Sequence, residues 1–262
     1  MAHDAFGDLS VLHRDKLLAD SLSISLVWCG VCAAVHWATS AVAPFIVPGF
    51  ERVFVNESQQ RALFNRGVSM FHAVTMFSLT ARYWLTQNRA VAILPGPVSS
   101  LEIAVVDIML GYLYYDIAFE IFNTRQLDSL AHHVLGVVSH LSTRLSGNPA
   151  ASFYTMLVFI AEGSTPFLNI SWVLHQMKLS HTIFFKLTVF ILLLTFFVFR
   201  ILLGPFMVTH MLAHRRAWGP ENQGLMFWGN FAIVASFAVL NFYWFYKLVS
   251  IAAGKKVKDK RL

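Results

Sequence analysis

Seven stretches of this chain are apolar over about twenty residues, the length an α-helix needs to cross a bilayer. They lie near residues 22–46, 63–86, 101–123, 127–145, 151–177, 182–210 and 225–250. Hydrocarbon offers no partner to a free backbone N–H or C=O, so runs of this kind in one chain fold as helices packed side by side. The expected fold is therefore all-α, a multipass transmembrane bundle of about seven spans. Composition agrees. Only 13% of residues are charged, against about a quarter in soluble domains, and the 24 phenylalanines suit a surface that meets lipid.

Turn chemistry separates the runs: Pro48-Gly49, Pro95-Gly96-Pro97, Gly147-Asn148-Pro149 and Gly219-Pro220. Gly204-Pro205 falls inside the sixth run and is expected to end or kink it. Residues 1–21 form a polar, mixed-charge segment without an apolar core, so no secretory signal peptide is expected. Residues 22–46 are the leading transmembrane helix. Residues 251–262 are a basic tail, and much of the net charge of +6 sits there, which points to anionic headgroups and not to nucleic acid. Cys29 and Cys32 share one apolar run and have no second pair to complete a metal site, so they read as small core residues.

Lysine and arginine in the loops set the orientation. With the C-terminus cytosolic, the cytosolic set is Arg52, Arg61, Arg66, Arg125, Lys178, Lys186, Lys255, Lys256, Lys258, Lys260 and Arg261. The far-side set is Arg14, Lys16, Arg82, Arg89, Arg144, Arg215 and Arg216. The sequon at Asn56 then faces the cytosol and stays bare, while that at Asn169 lies within a span. The ending KDKRL resembles a dilysine retrieval tail, which points to the endoplasmic reticulum or another endomembrane.

Polar side chains recur at matching depth. Counting about 1.5 Å per residue, Asp116, His132, His133, Asn169, Asn241 and His72 fall roughly 8–14 Å from the cytosolic end of their spans, and His140 and Glu162 about 20 Å in. Tyr112, Asp116 and Glu120 share one helix face, as do His133 and His140, and Glu162, Thr165 and Asn169 share another. Gly136 and Gly163 allow close helix approach. The expected assembly is a bundle around a polar-lined cavity open toward the cytosol, with Arg200 paired to Glu162 or capping carbonyls.

The adjacent pair in LAHHVLGVVSH carries the chemistry. An imidazole in an apolar site is neutral and basic near pH 7, and a carboxylate beside it fixes its tautomer. Asp116 with His132 or His133 thus suits general-base or nucleophilic catalysis of acyl transfer. Histidine and carboxylate also hold metals, yet neighbouring residues on a helix diverge by about 100°, and HExxH is absent. No metal is expected.

The ordered segments YLYYDIAFE, LAHHVLGVVSH, FIAEGSTPFLNISWVLHQM and FFVFRILLGPFMV resemble the TLC-domain proteins, the membrane family that includes the ceramide synthases. AE-x-STPF-x-N-x-x-W and F-x-x-R-x-x-x-x-P look most like the TLC domain-containing protein 4 branch. The resemblance covers about residues 60–250 and implies a six-helix TLC core around a central cavity, endomembrane residence and a role in lipid homeostasis. In ceramide synthases an adjacent histidine pair is essential for N-acylation of a sphingoid base by acyl-CoA. His132 and His133 match that pair, and Asp116 matches an acidic residue of the preceding span. The His-Asp that follows in those enzymes is not matched: the region here reads AEGSTPFLNISW, with Glu162.

The sequence thus points to a membrane protein of lipid homeostasis whose cavity binds or modifies an acyl lipid or sphingoid base. His132, His133 and Asp116 are the candidate catalytic residues. His72, Tyr112, His140, Glu162, Thr165, Asn169, Trp172, Arg200 and Asn241 are the candidate cavity lining. The alternatives are an acyl-CoA-dependent N-acyltransferase and a non-enzymatic chaperone or translocation accessory. The expected partners are membrane lipids, with no nucleic acid and self-association left open. No resident cofactor is expected, and acyl-CoA would be a co-substrate.

Overall fold

The computed structural model describes the backbone of residues 3–86, 95–124 and 127–253, and side chains within those ranges from residue 16 onward, except 17 and 124. The basic tail beyond 253, with Arg89 and Arg125, lies outside the described residues.

Every expected span is helical. Helix α1 runs His3–Ile46, a one-turn helix α2 covers Phe50–Val53, and α3 runs Glu57–Thr86. Helix α4 (Ser100–Phe119) continues into a π turn, Glu120–Thr124, and α5 runs Leu127–Ser146. Helix α6 (Pro149–Val158) and α7 (Thr165–Gln176) are joined by a 3₁₀ stretch at Phe159–Ser164. Helix α8 (Ile183–Phe196) and α9 (Leu203–Ala213) are joined by a π turn at Phe197–Leu202. Helix α10 runs Leu225–Ala252. The seven long stretches match the seven apolar runs, and α1 extends from the leading span back to His3.

Local chemistry explains the boundaries. Gly49, Gly147 and Gly219 adopt φ of +66°, +58° and +80° at three of the turns, a region that costs an L side chain dearly. Helix α4 starts with a capping box, in which the Ser99 side chain accepts from the Glu102 amide while the Glu102 carboxylate accepts from the Ser99 amide. Asn148 caps α6, with Pro149 in the first turn. Gly204-Pro205 does not end the sixth span. The chain passes through the π turn just before it and continues, the wider turn accommodating the donor that Pro205 lacks.

Among the described residues, four helical stretches are long and apolar enough on their own to cross a membrane: Leu18–Ile46, Pro149–Gln176, Ile183–Ala213 and Leu225–Ala252. Helices α3, α4 and α5 are more polar because they carry the inward-facing groups. The surface is inverted relative to a soluble protein. On α8, Ile183, Phe184, Leu187, Phe190 and Leu194 are exposed at helical spacing, a face for lipid.

Lipid provides no hydrophobic drive between helices, so close contact and polar pairing hold them together. Helix α1 lies along α4 through Gly111, where a Cβ would run into the Ser25 carbonyl and come within 2.8 Å of Trp28 Cβ. A Cβ at Gly136 would meet Leu113 at 3.1 Å, and one at Gly163 would meet Phe77 at 2.7 Å and Phe199 at 2.9 Å. Ser21 and Ser25 of α1 bond Asp107 of α4, whose carboxylate also takes Arg144 Nε of α5 at 3.1 Å. Arg144 is therefore buried inside the bundle, not a far-side loop charge. Membrane burial without a counter-ion is costly, and Asp107 supplies one. Cys29 and Cys32 are free thiols, Cys32 fully buried.

Candidate functional site

A cavity of about 1030 Å³ opens where α3 and α5 begin and α7 and α10 end. Exposed Ser58, Arg61, Asn123 and Leu127 ring its mouth. It reaches from Leu127 to His140 along α5, about 20 Å at the helical rise. Its far end is lined by Val158, Phe159, Leu203, Met207 and Phe237. Those apolar side chains share the inner part of the space with His140, Glu162 and Arg200.

Almost all the expected lining residues face it. Tyr112, Asp116, His132, His133, His140, Glu162, Thr165, Asn169, Trp172, Arg200 and Asn241 all do. His72 does not. It is fully buried behind Tyr112, the two rings stacked at 3.9 Å between centroids, and its Nδ1 accepts a 3.4 Å hydrogen bond from Trp28 Nε1. Depth along α3 placed it correctly, but the helix turns it toward α1 and α4 rather than inward.

His133 Nε2 lies 3.2 Å from Asp116 Oδ2, across the α4–α5 contact that Gly136 keeps close. Asp116 Oδ1 accepts from Asn65 Nδ2 at 3.0 Å, so both carboxylate oxygens are held. A carboxylate beside Nε2 fixes the proton on that nitrogen. His133 Nδ1 is sealed and has no hydrogen-bond partner. His132 sits 5.3 Å from His133 between centroids and packs edge-on against Phe237 and Trp244. Its Nδ1 is also sealed and unpartnered. Nε2 is the His132 nitrogen that is not sealed in this way.

Glu120, one turn beyond Asp116, accepts from Ser129 Oγ at 2.9 Å. Asp116, Glu120 and His133 present one ligand atom each within 4.8 Å of one another. Among the described residues, that trio could hold a metal ion. It leaves out His132, consistent with the divergence of neighbours on a helix.

Arg200 does not pair with Glu162, nor does it cap carbonyls. Its Nε donates to Ser164 Oγ at 3.0 Å, and its terminal nitrogens to Thr165 Oγ1 at 3.3 Å and Asn241 Oδ1 at 3.4 Å. Thr165 in turn donates to Glu162 at 3.0 Å, so the hydroxyl stands between cation and carboxylate. The 3₁₀ stretch of the fifth span aims Ser164 and Thr165 at this position.

Among the α3 lining residues that the sequence reading did not place in the cavity are Asn65, Arg66 and Ser69. Arg66 is a cavity residue rather than a loop charge. Its guanidinium lies 4.3 Å over the Trp172 ring and donates to Asn169 Oδ1 at 3.0 Å, while Asn169 Nδ2 donates to Ser69. The signal was present, because Asn65, Ser69 and His72 follow helical spacing, but a charge so near a span end reads as loop. Lys247 of α10 also lines the cavity.

Residues 63–250 match the TLC domain family model. The chain belongs to the TLC-domain family. The matched range begins in the second span and ends in the last, so α1 packs outside the TLC domain proper, and every cavity residue singled out above from Asn65 to Lys247 falls within it.

Proposed function

We propose that this TLC-domain protein takes up an acyl lipid or sphingoid base in its cavity and thereby adjusts membrane lipid composition, as a multipass endomembrane protein with its C-terminus in the cytosol. One observation carries the reading: a single space about 20 Å long combines hydrogen-bonding side chains along its length with an apolar wall of Val158, Phe159, Leu203, Met207 and Phe237. An amphipathic lipid suits this combination, and a volume of about 1030 Å³ is at the upper end for ligand sites. The resemblance to the protein 4 branch supports the same reading. The test is lipid extraction and mass spectrometry on gently purified protein, wild type beside the His132→Ala/His133→Ala double variant. Recovery of a defined lipid class with wild type supports the proposal, and protein that carries only bulk membrane lipid overturns it.

The 3.2 Å contact between His133 and Asp116 favours a second reading, N-acyl transfer from acyl-CoA as in ceramide synthases. His132 Nε2 would take the proton of the attacking amine as the C–N bond forms. The thioester C–S bond would break, and the thiol would leave with that proton. His133, oriented by Asp116, would pack beside the His132 ring. An acylated product formed from long-chain acyl-CoA and sphinganine by wild type, and not by the double variant, would establish it.

A further inference from the structure

The cavity's charges are unequally matched. Arg144, outside the cavity, has Asp107, and Arg61 at the mouth has Glu57 at 3.1 Å. Arg200 spends its donors on Ser164, Thr165 and Asn241. Arg66 is different. Like Arg200 it has no carboxylate partner among the described residues, but its one hydrogen bond goes to the neutral Asn169, which leaves most of its donors unspent. A guanidinium carries five N–H donors in a planar fork. Trp172 holds the plane of this fork from one side at 4.3 Å, which fixes its orientation without neutralising it. A cation kept inside a membrane bundle without an anion is expensive, and Arg66 sits where the cavity passes from mouth to interior.

Resting on the lipid reading above, we propose that Arg66 is the receptor for an anionic group on the cavity's ligand, a carboxylate or a phosphate monoester at the head of an acyl chain. The fork suits both, since each presents paired oxygens to two N–H donors. Asn169 accepts from the guanidinium and is itself held by Ser69. The chain then runs toward Leu203 and Met207. This makes the ligand an acidic single-chain lipid or its activated phosphate-bearing form, rather than a neutral glyceride.

The test uses the full chain in phosphatidylcholine nanodiscs and three probes with one acyl chain: oleate, oleoyl lysophosphatidate and monoolein. Wild type is expected to bind at least one acidic probe about tenfold or more tightly than monoolein, the scale of a charge-assisted hydrogen bond. Arg66→Gln should erase that preference while keeping monoolein affinity, and Arg66→Lys should keep part of it. Preference for oleate alone identifies a carboxylate ligand, and preference for lysophosphatidate alone a phosphate. Equal binding of all three by wild type, or a preference that survives Arg66→Gln, overturns the proposal and leaves the lipid reading standing. Binding of none of the three overturns both. Should Arg66→Gln fail to fold, the wild-type comparison and Arg66→Lys decide the matter.

Discussion

His72 and Tyr112 stack face to face at 3.9 Å, and only Tyr112 touches the cavity. One ring is lining and the other is support. His72→Ala should therefore act on stability. It leaves a void and removes the acceptor of Trp28 Nε1, at a cost of about 2–4 kcal/mol. A melt in mild detergent should show a lower Tm, while refolded or cold-purified protein keeps the wild-type lipid profile.

The Asp107–Arg144 pair should be strongly non-additive. Arg144→Met leaves a buried carboxylate with only Ser21 to answer it, and breaking such a pair costs about 3–5 kcal/mol. Adding Asp107→Leu removes the orphan charge and should recover much of the loss. Thermal melts of the two singles and the double measure this directly. A loss in the double equal to the sum of the two single losses would mean the pair is not coupled as the 3.1 Å contact implies.

The closed end of the cavity should select chain length. Val158 lies there beside Phe159, Met207 and His140. Val158→Phe adds bulk at depth and leaves the mouth untouched. Lipids extracted from this variant should shift to shorter acyl chains than those from wild type, by mass spectrometry on matched preparations. An unchanged distribution would mean that chains do not reach that end.

If acyl transfer takes place, the two histidines should differ. Among the described residues no hydrogen bond reaches Nε2 of His132, which lines the cavity, whereas the Nε2 of His133 is held by Asp116. His132→Ala should lose turnover by about 10²–10⁴-fold, the range of a positioned acid–base group. Asp116→Asn should lower it through His133 while Tm falls little. Initial rates with long-chain acyl-CoA and sphinganine, beside melts, separate these effects.

Topology is open to a direct check. The cavity mouth is at the end where Asn56 lies, just before α3. With that end cytosolic, Asn56 should carry no glycan in the native chain, and a sequon engineered into the loop before α4 should be modified. Sugar on Asn56 would invert the bundle.

Much of this protein was legible from sequence because its solvent is lipid. Backbone polar groups must be satisfied within each span, so apolar length alone defines helices, and glycine and proline mark the turns between them. The polar layer was legible for a related reason: Asp116, His132, His133, Asn169 and Asn241 are too costly at depth to face hydrocarbon, so they had to turn inward. Rotation and partnership were decided only by the tertiary structure. His72 lies at the right depth but on a face closed by Tyr112. Arg144 and Arg66 stand near span ends, where sequence cannot separate a loop charge from a buried one, and packing made one an ion pair with Asp107 and the other part of the cavity wall. Arg200 was matched to Glu162 by charge, but the 3₁₀ stretch set Ser164 and Thr165 between them. Depth follows from one helix's own rise, whereas a partner depends on how two helices cross, and that angle is written in the contacts at Gly111, Gly136 and Gly163.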